Sequence, residues 1–117
     1  MLKEIIERYG DFGDAIIEKV ECSMGAPNKL VCVTLNCMNS LNNYKYERIV
    51  LSFMDVSEVR YVQARNTDST IVYKALCLEE DGEVTIDFYP DNNGNKWEIN
   101  ETSDCLIRSK KIELKVM

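Results

Sequence analysis

Between Lys74 and Lys96 the chain carries no basic residue, yet it carries Glu79, Glu80, Asp81, Glu83, Asp87 and Asp91. Carboxylates at this density offer three kinds of chemistry: acid–base catalysis by a converging pair, coordination of a hard cation, or an electrostatic surface for a basic partner. Catalysis finds little support. The chain has no histidine, so the commonest general base is missing and neither a Ser-His-Asp nor a Cys-His arrangement can be assembled within it. It has no G-x-S-x-G, P-loop or G-x-G-x-x-G motif. Most of the acids fall in turns or on the polar parity of strands, where solvation is their ordinary role. The reading is a protein that is not an enzyme.

Cation coordination is weighed on Asp91-Asn92-Asn93-Gly94-Asn95, whose alternating oxygens resemble the start of a calcium loop. That loop wants glycine at its sixth position and glutamate at its twelfth, where this chain has Lys96 and Thr102, and its flanks here read as strands rather than helices. A hairpin turn accounts for the same residues, so no metal and no cofactor is expected. The five cysteines (Cys22, Cys32, Cys37, Cys77, Cys105) are odd in number and show no C-x-x-C spacing. They read as reduced thiols in or near the core, where cysteine behaves as a small hydrophobe. Asn100-Glu101-Thr102 matches a glycosylation triplet that matters only in a secreted chain.

The electrostatic option remains. A hairpin of residues 75–78 and 84–88 would collect the acids at its two ends, with Asp87 on the polar face and Tyr73 or Tyr89 nearby as an aromatic anchor. Arg108, Lys110, Lys111 and Lys115 near the C-terminus would then polarise the molecule. The expected partner-binding set is Glu79, Glu80, Asp81, Glu83, Asp87, Tyr89 and Asp91. A second exposed surface, mixing Tyr44 and Tyr46 with Asn42 and Asn43, ranks below it.

The elements that must position these residues are mostly strands. Leu2, Ile5, Ile6 and Tyr9 follow the i, i+3, i+4, i+7 rule of a short amphipathic helix that Gly10 stops. Phe12 follows in a loop and plugs one end of the core. Residues 15–24 predict a half-buried strand with Ile16, Val20, Cys22 and Met24 on its apolar face. A Gly-Ala-Pro-Asn turn leads into a strand over 29–38 with Val31, Val33, Leu35 and Cys37 inward. The clearest alternation is Ile49, Leu51 and Phe53, interrupted by a turn at Asp55 before a further strand from Val59 to Gln63. Asn66-Thr67-Asp68-Ser69 is a turn cluster, residues 70–78 favour strand over helix, and Asp81-Gly82 is a hairpin signal. Val84, Ile86 and Phe88 form another strand, and Trp97 with Ile99 a short one. From Cys105 to Val116 the apolar parity slips, which a bulge or kink near Ser109-Lys110 would reconcile.

At 117 residues with 45% hydrophobic and 29% charged residues, the chain has the length and composition of one domain able to bury a core. The expected fold is mainly β with one short N-terminal helix: an antiparallel sheet, sandwich-like or a partly open barrel, of about eight strands. The net charge of −6 argues against nucleic acid and against an anionic membrane surface. The start, Met1 to Arg8, carries acids within its apolar pattern and does not read as a signal peptide, so a cytoplasmic address is expected.

The order of elements resembles that of small bacterial immunity proteins of polymorphic and contact-dependent toxin systems. The matching residues are Phe12-Gly13-Asp14-Ala15, the run from Leu51 to Val59, Trp97-Glu98-Ile99 and Ile112-Glu113-Leu114. Related sequences include some with a histidine where this chain has Gly13. The resemblance implies a cytoplasmic, non-enzymatic protein that blocks a toxin by binding it, and it carries over no individual residue. The leading expectation is thus a protein-binding module that meets a basic partner, such as a toxin domain, through its acidic surface. The alternative is a small-molecule binding domain with an apolar pocket lined by Trp97, Phe88 and Phe53 and closed by the helix. Open sheet edges leave a homodimer available to either.

Overall fold

The computed structural model describes residues 1–25, 28–62 and 71–117. The expected turns at residues 25–28 and 66–69 and the Val59–Gln63 strand fall partly or wholly outside these residues. Helix α1 spans Leu2–Tyr9, and a 3-10 turn spans Ser40–Asn42. The strands are β1 (Ala15–Ser23), β2 (Leu30–Asn39), β3 (Lys45–Tyr61), β4 (Ile71–Val72), β5 (Leu76–Glu80), β6 (Glu83–Asp87), β7 (Asp91–Asn93), β8 (Lys96–Glu98) and β9 (Cys105–Val116). Seven of them form an antiparallel sheet in the order β4-β1-β2-β3-β9-β6-β5, curled into a half-barrel, while β7 and β8 make a separate hairpin. The mainly β fold with one short helix is as the sequence implied.

The core lies on the inner face of the curl. Alternate residues of β2 (Val31, Val33, Leu35, Cys37) point inward, opposite Phe53, Leu51, Ile49 and Glu47 of β3. On the other side of β3, Leu51 faces Leu114 and Phe53 faces Ile112. The helix closes this face with Leu2, Ile5 and Tyr9, leaving Ile6 at the rim. Gly10 ends the helix at φ 60°, ψ −130°, a backbone state open in practice to glycine alone. Phe12 then plugs the core as expected, its ring 6.0 Å from Tyr9 and 6.1 Å from Phe88. Its φ of 57° is strained for a bulky residue, and full burial of the ring holds it there.

Two bulges correct the strand readings. In β1 the register slips between Ile17 and Lys19, so Glu18 is the extra residue. The buried parity is therefore Ala15 and Ile17 before the bulge and Val20 after it, and Ile16 is exposed. Period-two reading from Val20 backwards carried the wrong face through the bulge. In β3, Asp55 is not a turn: one strand runs through it, with Asp55 at φ 55° and the register with β9 shifting between Val56 and Glu58. The buried parity changes from Phe53 to Val56 on β3 and from Ile112 to Ser109 on β9, at the same level of the sheet. The slip foreseen near Ser109-Lys110 is real, and both strands share it.

A small polar knot ties the helix end to the sheet. Glu47 on β3 accepts hydrogen bonds from Tyr9 Oη (3.0 Å), Asn39 Nδ2 (3.0 Å) and Asn42 Nδ2 (3.3 Å). Ser40 Oγ donates to the carbonyls of Glu7 and Arg8, which the ending helix leaves unpaired. The donors hold the Glu47 carboxyl below its usual 4.5, the bond from Asn39 contributing most. Burial, reinforced by Glu47, lifts the Tyr9 phenol to about 12. Because the folded carboxyl is the stronger acid, its stabilising effect is complete above the unfolded value and fades as pH falls through the folded one. Glu47→Gln is expected to lower unfolding free energy by about 1 kcal/mol at pH 7. That deficit should shrink as urea titrations are repeated at pH values below 4.5.

Candidate acidic interface on the β5–β6 hairpin

The hairpin expected around Asp81-Gly82 is present. Glu80 pairs with Glu83 across a two-residue turn in which Asp81 (φ 52°) and Gly82 (φ 77°) are both left-handed. These are the dihedral signs of the type I′ turn, whose twist matches that of the flanking strands. The turn holds Glu79, Glu80 and Asp81 exposed. Among the described residues none of the three forms an ion pair or side-chain hydrogen bond. Glu83 is half-buried and accepts from Ser57 Oγ at 2.7 Å.

The structure brings together only part of the expected set. Successive strand residues face opposite sides of the sheet. On one side Glu80, Asp81 and Glu83 rim a cleft of about 250 Å³ with Leu78, Thr85, Ile99 and Arg108. Its cation is already engaged: Arg108 lies 2.8 Å from Glu58 Oε1 and donates to Thr85 Oγ1 at 3.1 Å. Glu79 faces the other side, where it lines a cleft with Met1, Leu2, Lys110 and Lys111. The expected separation of an acidic pole from a basic one is corrected here, because β9 runs beside β6 and carries its lysines to the same region.

Asp87 is not on a polar face. It is fully buried and accepts from Tyr89 N (3.0 Å), Asn100 N (2.8 Å) and Ser103 Oγ (2.5 Å). A buried carboxylate committed to three donors cannot meet a partner; it staples the segment after β8 onto the end of β6. The alternation Thr85, Asp87 suggested a solvated face, but β6 is buried on both faces from Val84 to Asp87. The cluster of small hydrogen-bonding residues from Asn100 to Ser103 was the sequence signal for that cover.

The aromatic residues also lie elsewhere. Tyr89 is half-buried, its backbone tied to Asp87 and Asn100, and burial lifts its phenol to about 12. Asp91 is exposed on the β7–β8 hairpin, at the opposite end of β6 from the acidic turn. Tyr73, 79% exposed, packs on Trp97 with ring centroids 6.3 Å apart, and Lys74 Nζ sits 5.1 Å from the Trp97 ring centroid. Phe88, Tyr89, Pro90 and Trp97 line a cleft of about 340 Å³ there. Phe53 is buried in the sheet core and α1 does not reach that cleft, so the three aromatics expected to share a pocket under the helix do not. Tyr44 (66%) and Tyr46 (49%) are exposed, with Tyr46 Oη donating to the Asp14 carbonyl.

All five cysteines stand as free thiols. Burial pushes Cys37, Cys77 and Cys105 up to about 12, with nearby carboxylates adding to it. Cys22 alone is exposed. Since the thiolate is the reactive form, iodoacetamide at pH 8 should modify Cys22 first, while Cys37 and Cys105 react only on unfolding; peptide mass mapping reads this directly. Asp87→Ala leaves buried donors unpaired and should cost about 3 kcal/mol or more in urea unfolding. Asp87→Asn, which keeps an acceptor oxygen, should cost less. No protein-family model, curated protein or solved structure matches this chain.

Proposed function

We propose that the protein is a non-enzymatic, cytoplasmic protein-binding module that meets a basic partner through the outer end of the β5–β6 hairpin. The observation that supports it best is that Glu80 and Asp81 are exposed at a type I′ turn, share a face with Glu83, and are committed to no cation among the described residues. A fixed array of unpaired carboxylates raises the encounter rate with a cationic surface and turns away acidic ones, without ordering a flexible loop on binding. The sequence resemblance supplies the partner's class: a secreted toxin domain that this chain neutralises by covering it. Among the described residues no helix is long and apolar enough to cross a membrane, which is compatible with such a role.

The partner-binding set narrows to Glu80, Asp81 and Glu83, which share one face, while Glu79 lies on the other beside Lys110 and Lys111. Asp87 belongs to the fold, and Asp91 lies about 13 Å or more along the sheet from the turn, at four strand residues of roughly 3.3 Å each. The test is calorimetric titration of the full chain against a basic secreted toxin domain, chosen by sequencing the genes that flank its own. The double variant Glu80→Lys/Asp81→Lys should bind at least tenfold more weakly, and the wild-type affinity should fall steeply with salt. Asp91→Lys should change it less than threefold. Equal affinities for the wild type and the double variant, insensitive to salt, would sink the acidic-interface reading.

A further inference from the structure

Among the described residues the hairpin is also an edge of the sheet. Strand β5 is last in the order β4-β1-β2-β3-β9-β6-β5, and it is five residues long, against two for β4 at the other edge. In a two-residue hairpin the residues flanking the turn form a hydrogen-bonded pair, and such pairs alternate along the ladder. Glu80, Leu78 and Leu76 therefore spend their backbone groups on Glu83, Thr85 and Asp87. The N–H and C=O of Cys77 and Glu79 face outward, and among the described residues no backbone group pairs with them. Glu80 and Glu83 stand directly opposite each other, an arrangement of like charges that destabilises a sheet. A cation placed beside Glu80, in line with that pair, would relieve it. β5 carries no proline and no lysine, and its only charges are the carboxylates of Glu79 and Glu80.

We propose that β5 is a docking edge for an extended basic segment of the partner protein, which adds to the sheet as an eighth, antiparallel strand. This rests on the function proposed above and names how the partner is held. Main-chain pairing to Cys77 and Glu79 gives the affinity, and side chains opposite β5 give the selectivity. A basic residue fits opposite Glu80, where Asp81 and Glu83 also lie, while an apolar β-branched residue fits opposite Leu78 and Leu76. A second copy of this chain is a poorer occupant: antiparallel self-pairing about Leu78 sets Glu80 of each copy opposite Leu76 of the other, so neither Glu80–Glu83 pair gains a cation. The carboxylates thus favour a cationic strand over the chain's own edge.

The probe is a capped hexapeptide with the sequence arginine, lysine, threonine, valine, threonine, valine, titrated into the isotopically labelled full chain by NMR. In the antiparallel register its lysine falls opposite Glu80 and its two threonine amides face β5. The amide protons of Cys77 and Glu79 should shift and become protected from exchange. Methylating the two threonine nitrogens should weaken binding at least tenfold, as should replacing arginine and lysine by glutamates. Glu79→Pro removes an outward N–H and no β5–β6 bond, so it should keep the spectrum of the folded protein and lose the peptide; Glu79→Gln should lose at most a few-fold. If the methylated peptide binds equally well, strand addition falls while the acidic interface stands. Absence of saturable binding would overturn the docking edge, and the toxin-domain titration would still decide the earlier reading independently. A dimer of the free protein that already protects Cys77 and Glu79 would assign the edge to a second copy and overturn the proposal.

Discussion

The pairing of β3 with β9 is the constraint on which the rest of the molecule depends. β3 is the long strand against which β2 and β9 both pair, so it joins the first half of the chain to the last. Two flat strands of this length would present one uninterrupted apolar face each. Instead both change buried parity at the same level, around Asp55 and Lys110, with a register shift just beyond. Such a shift increases local twist and bends the sheet. The bend lets β6 and β5 continue around the core rather than away from it, and so sets the direction in which the acidic turn points.

Much of this was legible in the chain because alternation is a local signal. The helix and its glycine stop, the inward set of β2, and the Asp-Gly hairpin each follow from a few adjacent residues. The bulges were not legible in β1, where Glu18 simply looked like one polar exception in an apolar parity. Asp55 looked like a turn because an aspartate in a left-handed conformation serves a bulge as well as it serves a turn. Strand order was out of reach. Nothing local says that the final strand inserts between β3 and β6, bringing Lys110 and Lys111 to the neighbourhood of Glu79.

The candidate site was readable as a cluster in sequence and only in part as a cluster in space. Glu80, Asp81 and Glu83 converge because a two-residue turn brings its flanks together. Glu79 is sent to the other face by the pleat. Asp87, in the same run of acids, does opposite work. Its carboxylate is consumed inside the fold by Tyr89, Asn100 and Ser103, and it anchors the chain where it leaves the small β7–β8 hairpin. One composition thus hides two roles, separated by burial rather than by residue type. Burial of Asp87 depended on a cover that arrives from more than a dozen residues away.

The unequal edges of the sheet have a consequence for assembly. A sheet protein with two competent edges can propagate, each added chain exposing the site for the next. Here, among the described residues, one edge offers five residues and the other only two. In the proposed strand addition, a partner on β5 would find no edge of matching length on the described far side of the sheet from which a second copy could repeat the contact. A chain with this architecture can expose an unpaired strand and still resist polymerising into fibres.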